Sequence, residues 1–303
     1  MHGLSTREAF SDGHFDHVRS ALHAYKTAGV TQPVTPTFGA AARGIRGGGF
    51  TEELREWNQL AAQFTHEVFE GTEPLGSIAP LLDTSGTDDG AWSALSNRPD
   101  RARRIHVPQL QALRDAGIGG GLAEAVHDYD EAEGLVLAGM DAGMKRMIVS
   151  FEPTRNGVPN NTLGIQSYEE VANRLRDLAR GKIDAQIGLN CGNGDQIMSL
   201  LGDSKPGTFA AVYPNQCVIP HDDRGARFRE LADLNHERND EQELEFDSLR
   251  RVFQISDTQL QRLVSLGGEL DVKYLGLCCG SGPHDIRELA ARVRLATPDA
   301  VPQ

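Results

Sequence analysis

Val272-Lys273-Tyr274-Leu275-Gly276-Leu277-Cys278-Cys279-Gly280-Ser281-Gly282-Pro283 decides how the rest of the chain is read. Val272 to Leu275 is a short apolar run with strand character. Gly276 and Gly280 supply a tight turn. Beyond Pro283, which suits a first helical turn, Ile286, Leu289, Ala290 and Val293 recur at helical spacing. Successive strand side chains point to opposite faces, so two adjacent cysteines can share one target only where the strand has ended and the backbone turns.

A second stretch repeats this grammar. Ala185-Gln186-Ile187 leads into Gly188-Leu189-Asn190-Cys191, again followed by glycines at 192 and 194. Two thiols buried in a core would explain the Cys278-Cys279 pair taken alone. Three thiols at the carboxyl ends of two strands point instead to a Cys₃ zinc site with its fourth position open, the catalytic form of zinc site.

Between these motifs, apolar runs and amphipathic stretches alternate. Helices are expected from His14 to Gly29, from Thr51 through Val68, and from Val107 to Ala116. Others are expected from Asp130 to Met140, Tyr168 to Ala179, Gln196 to Leu201 and Ser256 to Leu266, the last stopped by Gly267-Gly268. Strands are expected near residues 34, 77, 120, 149, 187, 211 and 274. The run at 32–38 carries two prolines, which weaken ladder bonding. Residues 82–97 read as a long loop, and 221–247 as a charged, solvated excursion. Alternation with short connections means a parallel sheet with crossover helices. The expectation is one domain over residues 1–303.

Composition narrows the function. Net charge is −13, with 43 acidic against 30 basic residues, which disfavours a nucleic-acid partner. No apolar run spans a bilayer and the first residues lack the pattern of a signal peptide, so a cytoplasmic, non-membrane protein is expected. Four cysteines in 303 residues make no disulfide scaffold; clustered, they favour metal or catalysis.

The motifs Gly188-Leu189-Asn190-Cys191, Val212-Tyr213-Pro214-Asn215 and Gly276-Leu277-Cys278-Cys279-Gly280-Ser281-Gly282-Pro283 resemble the homocysteine S-methyltransferase family in order and spacing. Lesser matches at Thr35-Pro36-Thr37-Phe38, Gly76-Ser77-Ile78-Ala79-Pro80, Ala116-Gly117 to Glu124, and Ser150-Phe151 extend the resemblance over roughly residues 18–295. It implies a (β/α)₈ TIM-type barrel, zinc held by Cys191, Cys278 and Cys279, and methyl transfer to the sulfur of homocysteine, giving methionine. It also implies that Glu124, Asn190 and Thr37 bind substrate; a strand-end glutamate paired with a neighbouring base is the other reading of Glu124. The partners are then a small-molecule thiol acceptor and a methyl donor with a sulfonium or quaternary ammonium centre.

The chain departs from the family pattern in three places. The Asp-Gly motif of the first strand has only Ser11-Asp12-Gly13 as a counterpart, without an apolar run, so that strand is expected to be missing or degenerate. Leu277 stands where a glycine is usual. Cys217 stands where a glycine is expected after Tyr213-Pro214-Asn215-Gln216; it is a candidate fourth ligand, or else a free loop thiol. Two consequences follow from a missing strand: a homodimer covering the gap near Val34 or Tyr274, and an alternative reading as a zinc-binding barrel with altered substrate or lost catalysis, serving as a subunit or sensor. A redox role for Cys278 with Cys279 is a third reading, disfavoured by the strain of a disulfide between adjacent residues.

Overall fold

The structure is a computed structural model. It describes residues 15–42, 49–81, 96–153, 158–159, 163–215, 255–278 and 281–296. The described elements run α1 (Phe15–Ala28), α2 (Glu52–Val68), β1 (Leu75–Ile78), α3 (Arg98–Asp115), β2 (Gly120–Val126), α4 (Tyr129–Asp141), β3 (Arg146–Phe151), α5 (Tyr168–Ala179), β4 (Asp184–Asn190), α6 (Gly194–Gly202), β5 (Ala211–Tyr213), α7 (Asp257–Glu269), β6 (Tyr274–Leu275) and α8 (Pro283–Ala296).

The six strands form one parallel sheet in sequential order, β1 to β6. The run around Val34 contributes a single parallel bridge to Leu75, with Thr35 N–H donating to Leu75 O at 2.8 Å and Leu75 N–H to Pro33 O at 3.0 Å. Pro33 and Pro36 lack N–H donors, which is why this stave stops at a bridge.

Period-two alternation gives the sheet two buried faces. Ile78, Ala123, Met147, Val149, Phe151, Ile187, Leu189 and Val212 point outward into the helical layer and form the main core. Leu75, Leu122, Ile148, Ala211 and Tyr213 point inward with Val34, Tyr274 and Cys278. Residues from both ends of the strand order share that inner cluster, so the sheet is curled. Arg146 on β3 donates to the Tyr274 hydroxyl on β6 at 2.7 Å, spanning the inside of the curl.

The helical layer comes back on itself. α8 packs on α1, and the Tyr25 hydroxyl donates to Ser281 O at 3.3 Å. Gly29 sits at the contact with φ of +100°; a Cβ there would lie 2.7 Å from Arg294 Nη2. The inner side is less complete. β1 to β4 are almost wholly buried, whereas Tyr274, Leu275, Gly276, Leu277 and Cys278 are half-buried. Among the described residues no strand pairs with the far edge of β6, so the structure is a curled half-barrel, of TIM-like type.

Beyond shifts of one or two residues at other helix ends, two boundaries differ from the sequence expectation. α3 begins at Arg98, not Val107, with Pro99 in its first turn and Pro108 inside it. Pro108 removes one helical hydrogen bond, but Ala102, His106, Gln109, Leu110 and Leu113 are buried on both sides of it, and packing against α4 carries the helix through. α7 runs through Gly267 and Gly268 to Glu269. Gly267 is buried against Leu275, whose Cδ1 would be 2.8 Å from an added Cβ, so this glycine serves close packing and not termination. Residues 82–95 and 216–254, which hold most of the long loop and all of the charged excursion, lie outside the described residues.

Candidate active site at the carboxyl ends of the strands

Every strand of a parallel β/α unit delivers its following loop to one face, where the carboxyl ends meet. β4 ends at Asn190, and Cys191 then adopts φ of +57°, a left-handed conformation uncommon for a residue with a Cβ. This turn aims the Cys191 side chain toward the loop after β6. Cys191 Sγ lies 3.0 Å from Cys278 Sγ, although the residues are 87 apart in sequence.

The continuation of β5 stitches the two thiol loops together. Asn215 Nδ2 donates to Cys191 O at 2.6 Å, and Asn215 N–H donates to Gly192 O at 2.9 Å. Cys278 N–H donates to Pro214 O at 2.8 Å. Ser281 closes the far side, its hydroxyl donating to Cys278 O at 2.6 Å. The Val212-Tyr213-Pro214-Asn215 stretch thus acts as a clamp between the thiols.

Asn190 is fully buried beneath them. Its Oδ1 accepts from Ala125 N–H at 2.9 Å; its Nδ2 is 3.4 Å from Cys191 Sγ and 3.9 Å from Cys278 Sγ. Ala125 is itself left-handed, φ +55°, and lies within a register shift between Ala123 and Val126. Gly188, two residues before Asn190, could not carry a side chain: a Cβ would lie 2.7 Å from Ala211 O.

Glu124 is half-buried on the inner face at the end of β2 and accepts a hydrogen bond on Oε1 from the Ser77 hydroxyl of β1. Thr37 is fully buried. Its hydroxyl donates to Ser77 O at 2.7 Å and lies 2.8 Å from Thr35 Oγ1, while Thr35 Oγ1 accepts from Ser77 N–H at 3.2 Å. Thr37 therefore braces the strand end that carries the partner of Glu124. Burial pushes the Tyr213 phenol well above its ordinary pKa, and the negative charge of Glu124 adds to the effect, so Tyr213 is a neutral wall beside the thiols.

Sequence reasoning overlooked a second polar layer. Arg98 pairs with Asp128 at 3.3 Å and with Asp130. His106 Nε2 is 3.3 Å from Glu131 Oε1, which also accepts from Leu81 N–H at 2.7 Å. His127 Nε2 lies 3.5 Å from Glu152 Oε2. Burial raises Asp128 to about 6; Arg98 opposes the shift and Asp130 adds to it. These groups anchor the loops leaving β1, β2 and β3. The signal available in sequence was the Asp128-x-x-Glu131 capping pattern before an apolar run.

Cys279 and Cys217 lie outside the described residues, as does Ser11-Asp12-Gly13. Among the described residues no group of three or more His, Cys, Asp or Glu side chains could hold a metal ion. The donor chemistry present still fits a soft divalent cation: two half-buried sulfurs converge, and an amide N–H is directed at them. A cavity of about 620 Å³ opens at the opposite, amino-terminal end of β3 to β6, lined by Lys145, Arg176, Lys182, Lys273, Asp184 and Asp271. It is remote from the thiols, and its cations sit near the C-terminal ends of α4, α5 and α7, where helix dipoles favour positive charge.

A curled parallel β/α sheet with thiols gathered at the carboxyl ends of its strands defines a TIM-like enzyme with a sulfur-lined mouth. The family model for homocysteine S-methyltransferase matches residues 2–293; the chain belongs to this family and is a methyltransferase. Three solved structures of the homocysteine methyltransferase MmuM from Escherichia coli share the fold. The metallated form aligns at 17% identity and TM-score 0.59, covering 95% of this chain and 88% of that one. The oxidized form aligns at 17% and 0.56, covering 95% and 87%. The apo form aligns at 16% and 0.53, covering 91% and 85%. Among proteins of curated function none matches. No helix among the described residues is long and apolar enough to cross a membrane.

Proposed function

We propose that the chain moves a methyl group from a sulfonium or quaternary ammonium donor to the thiol of homocysteine, giving methionine, with zinc as its cofactor. The observation that carries this reading is the 3.0 Å approach of Cys191 and Cys278 at the carboxyl ends of β4 and β6. Cys191, Cys278 and Cys279 would hold the zinc, with Cys217 a candidate for the fourth position when no acceptor is bound. Zinc held by thiolates favours the ionised form of an acceptor thiol.

The chain's own residues supply position. Glu124, fixed by Ser77, receives the ammonium group of the acceptor, and Thr37 keeps Ser77 in place. The neutral Tyr213 walls the sulfur site without adding charge. In the transfer, a lone pair of the acceptor sulfur forms the new S–CH₃ bond while the donor's CH₃–S⁺ or CH₃–N⁺ bond breaks. The bonding pair leaves with the neutral thioether or amine, and the acceptor's thiol proton goes to solvent. No base is needed at carbon, so alignment of sulfur, methyl and leaving group does the catalytic work. A second copy of the chain against the far edge of β6 would complete the inner layer.

The test is incubation of zinc-loaded protein with homocysteine and, separately, S-methylmethionine or betaine, with methionine measured by mass spectrometry. Methionine formation with either donor is expected. Zinc-replete protein that makes none with any sulfonium or ammonium donor would overturn the reading.

A further inference from the structure

We propose that Asn190 is a positioning residue that holds the thiol pair by N–H···S hydrogen bonds and ties it to the strand end bearing Glu124. The inference rests on the metal reading given above. It begins from an assignment that chemistry settles. The two ends of an asparagine amide are interchangeable in shape, and their orientation must be inferred from partners. Ala125 N–H can only donate, and it lies 2.9 Å from the amide. The atom facing it is therefore the oxygen. The NH₂ group is then turned to the sulfurs, 3.4 Å from Cys191 Sγ and 3.9 Å from Cys278 Sγ.

Both ends of the amide are thus committed, and Asn190 is fully buried. An N–H donor aimed at sulfur favours the charged thiolate over the thiol, because charge-assisted hydrogen bonds are the stronger kind. The shorter contact, to Cys191, is the stronger of the two.

The oxygen end explains an otherwise costly backbone. Ala125 holds a left-handed φ of +55° inside a register shift of the β2–β3 ladder. Its N–H has left the ladder and needs another acceptor, which Asn190 provides. Glu124 lies in the same bulge, immediately before Ala125. One buried amide therefore sets the distance between the sulfurs and the carboxylate proposed to hold the acceptor's ammonium group. A serine or aspartate at 190 would serve one side only.

The experiment uses the full chain and two metals. Zinc affinity is measured by chelator competition for the native protein, Asn190→Ala and Asn190→Asp. The aspartate keeps an acceptor for Ala125 N–H but turns an oxygen toward the sulfurs. Both variants are expected to bind zinc about 10- to 100-fold more weakly, the usual cost of losing a group that orients metal ligands. The native chain loaded with cadmium-113 is expected to show a through-hydrogen-bond coupling between the metal and the Asn190 side-chain amide protons, a measurement that needs no variant to fold. Folded variants with native zinc affinity would overturn the proposal, as would cadmium-loaded native protein without that coupling. Failure of the native chain to take up either metal would instead overturn the zinc reading itself, and metal analysis distinguishes that case.

Discussion

Cys191 Sγ and Cys278 Sγ stand 3.0 Å apart across the mouth of the sheet, Cys191 held from behind by the Asn215 side chain donating to its carbonyl and Cys278 by its own N–H donating to Pro214 O. Two strand ends must be fixed at once for this to occur, since neither loop alone brings its thiol to the other.

If these thiols hold zinc with Cys279, the native protein contains one zinc per chain. Cys191→Ala, Cys278→Ala and Cys279→Ala should each lose most of it, as measured by elemental analysis after gel filtration. Full zinc retention in the Cys278 and Cys279 variants would remove the site. Cobalt substitution should show whether Cys217 adds a sulfur that is lost in Cys217→Ala.

Glu124→Gln should raise KM for homocysteine far more than for a thiol lacking an amino group, because only the former loses its ionic partner. Ser77→Ala should act in the same direction more weakly, since it removes a hydrogen bond to the carboxylate and not the charge; a bond to a charged group contributes roughly 1.5–3 kcal/mol. Equal effects on both thiols would reject an ammonium-binding role.

The Asp128 carboxyl, raised to about 6 by burial, holds its proton more tightly in the folded chain than in the unfolded one. Its contribution to stability is therefore favourable at low pH and declines as pH rises from about 4 to about 6, then levels off. Asp128→Asn keeps the cap on α4, whose Asp130 and Glu131 N–H groups Asp128 accepts. The stability of this variant relative to native should rise across that window, by at most about 1.4 kcal/mol per pH unit, in urea titrations at stepped pH. A flat difference would reject the shift.

Gly134 lets α4 approach α3. A Cβ there would lie 2.5 Å from both Pro99 O and Ala102 Cβ. A backbone carbonyl cannot swing aside as a side chain can, so Gly134→Ala should destabilise by about 1–3 kcal/mol, visible as a lower thermal midpoint.

Tyr274→Phe removes the bond from Arg146 that links β3 to β6 across the curl. A loss of about 1 kcal/mol is expected. Faster amide hydrogen exchange confined to 274–278 would locate the effect at the half-buried edge, whereas uniform exchange would show that the bond has no role there.

Much of this molecule could be read locally. The bounds of α5, Tyr168–Ala179, coincide with expectation because Ser167 caps it and its apolar residues recur at helical spacing. The expected strands near 77, 120, 149, 187, 211 and 274 are all present, since each is a short apolar run bounded by glycine or a polar cap. The stave at Val34 is as weak as its prolines indicated. Periodicity and punctuation are properties of a few consecutive residues, so the order of the described elements, the parallel α/β class and the thiol motifs were determined by sequence alone, whereas closure into an eight-stranded barrel was not.

Tertiary structure decided everything that joins distant segments. α3 passes through Pro108, and α7 through Gly267, because burial against neighbouring elements outweighs local propensity. His106 with Glu131, and Arg98 with Asp128, pair across 25 and 30 residues, and no sequence spacing announces them. Asn190 was readable as a residue of the site, but which way its amide faces depends on the N–H of Ala125, 65 residues away, whose left-handed turn exists only in the folded ladder. Side-chain direction at a strand end is set by how the neighbouring strands register, and that information resides in contacts between segments, not within any one of them.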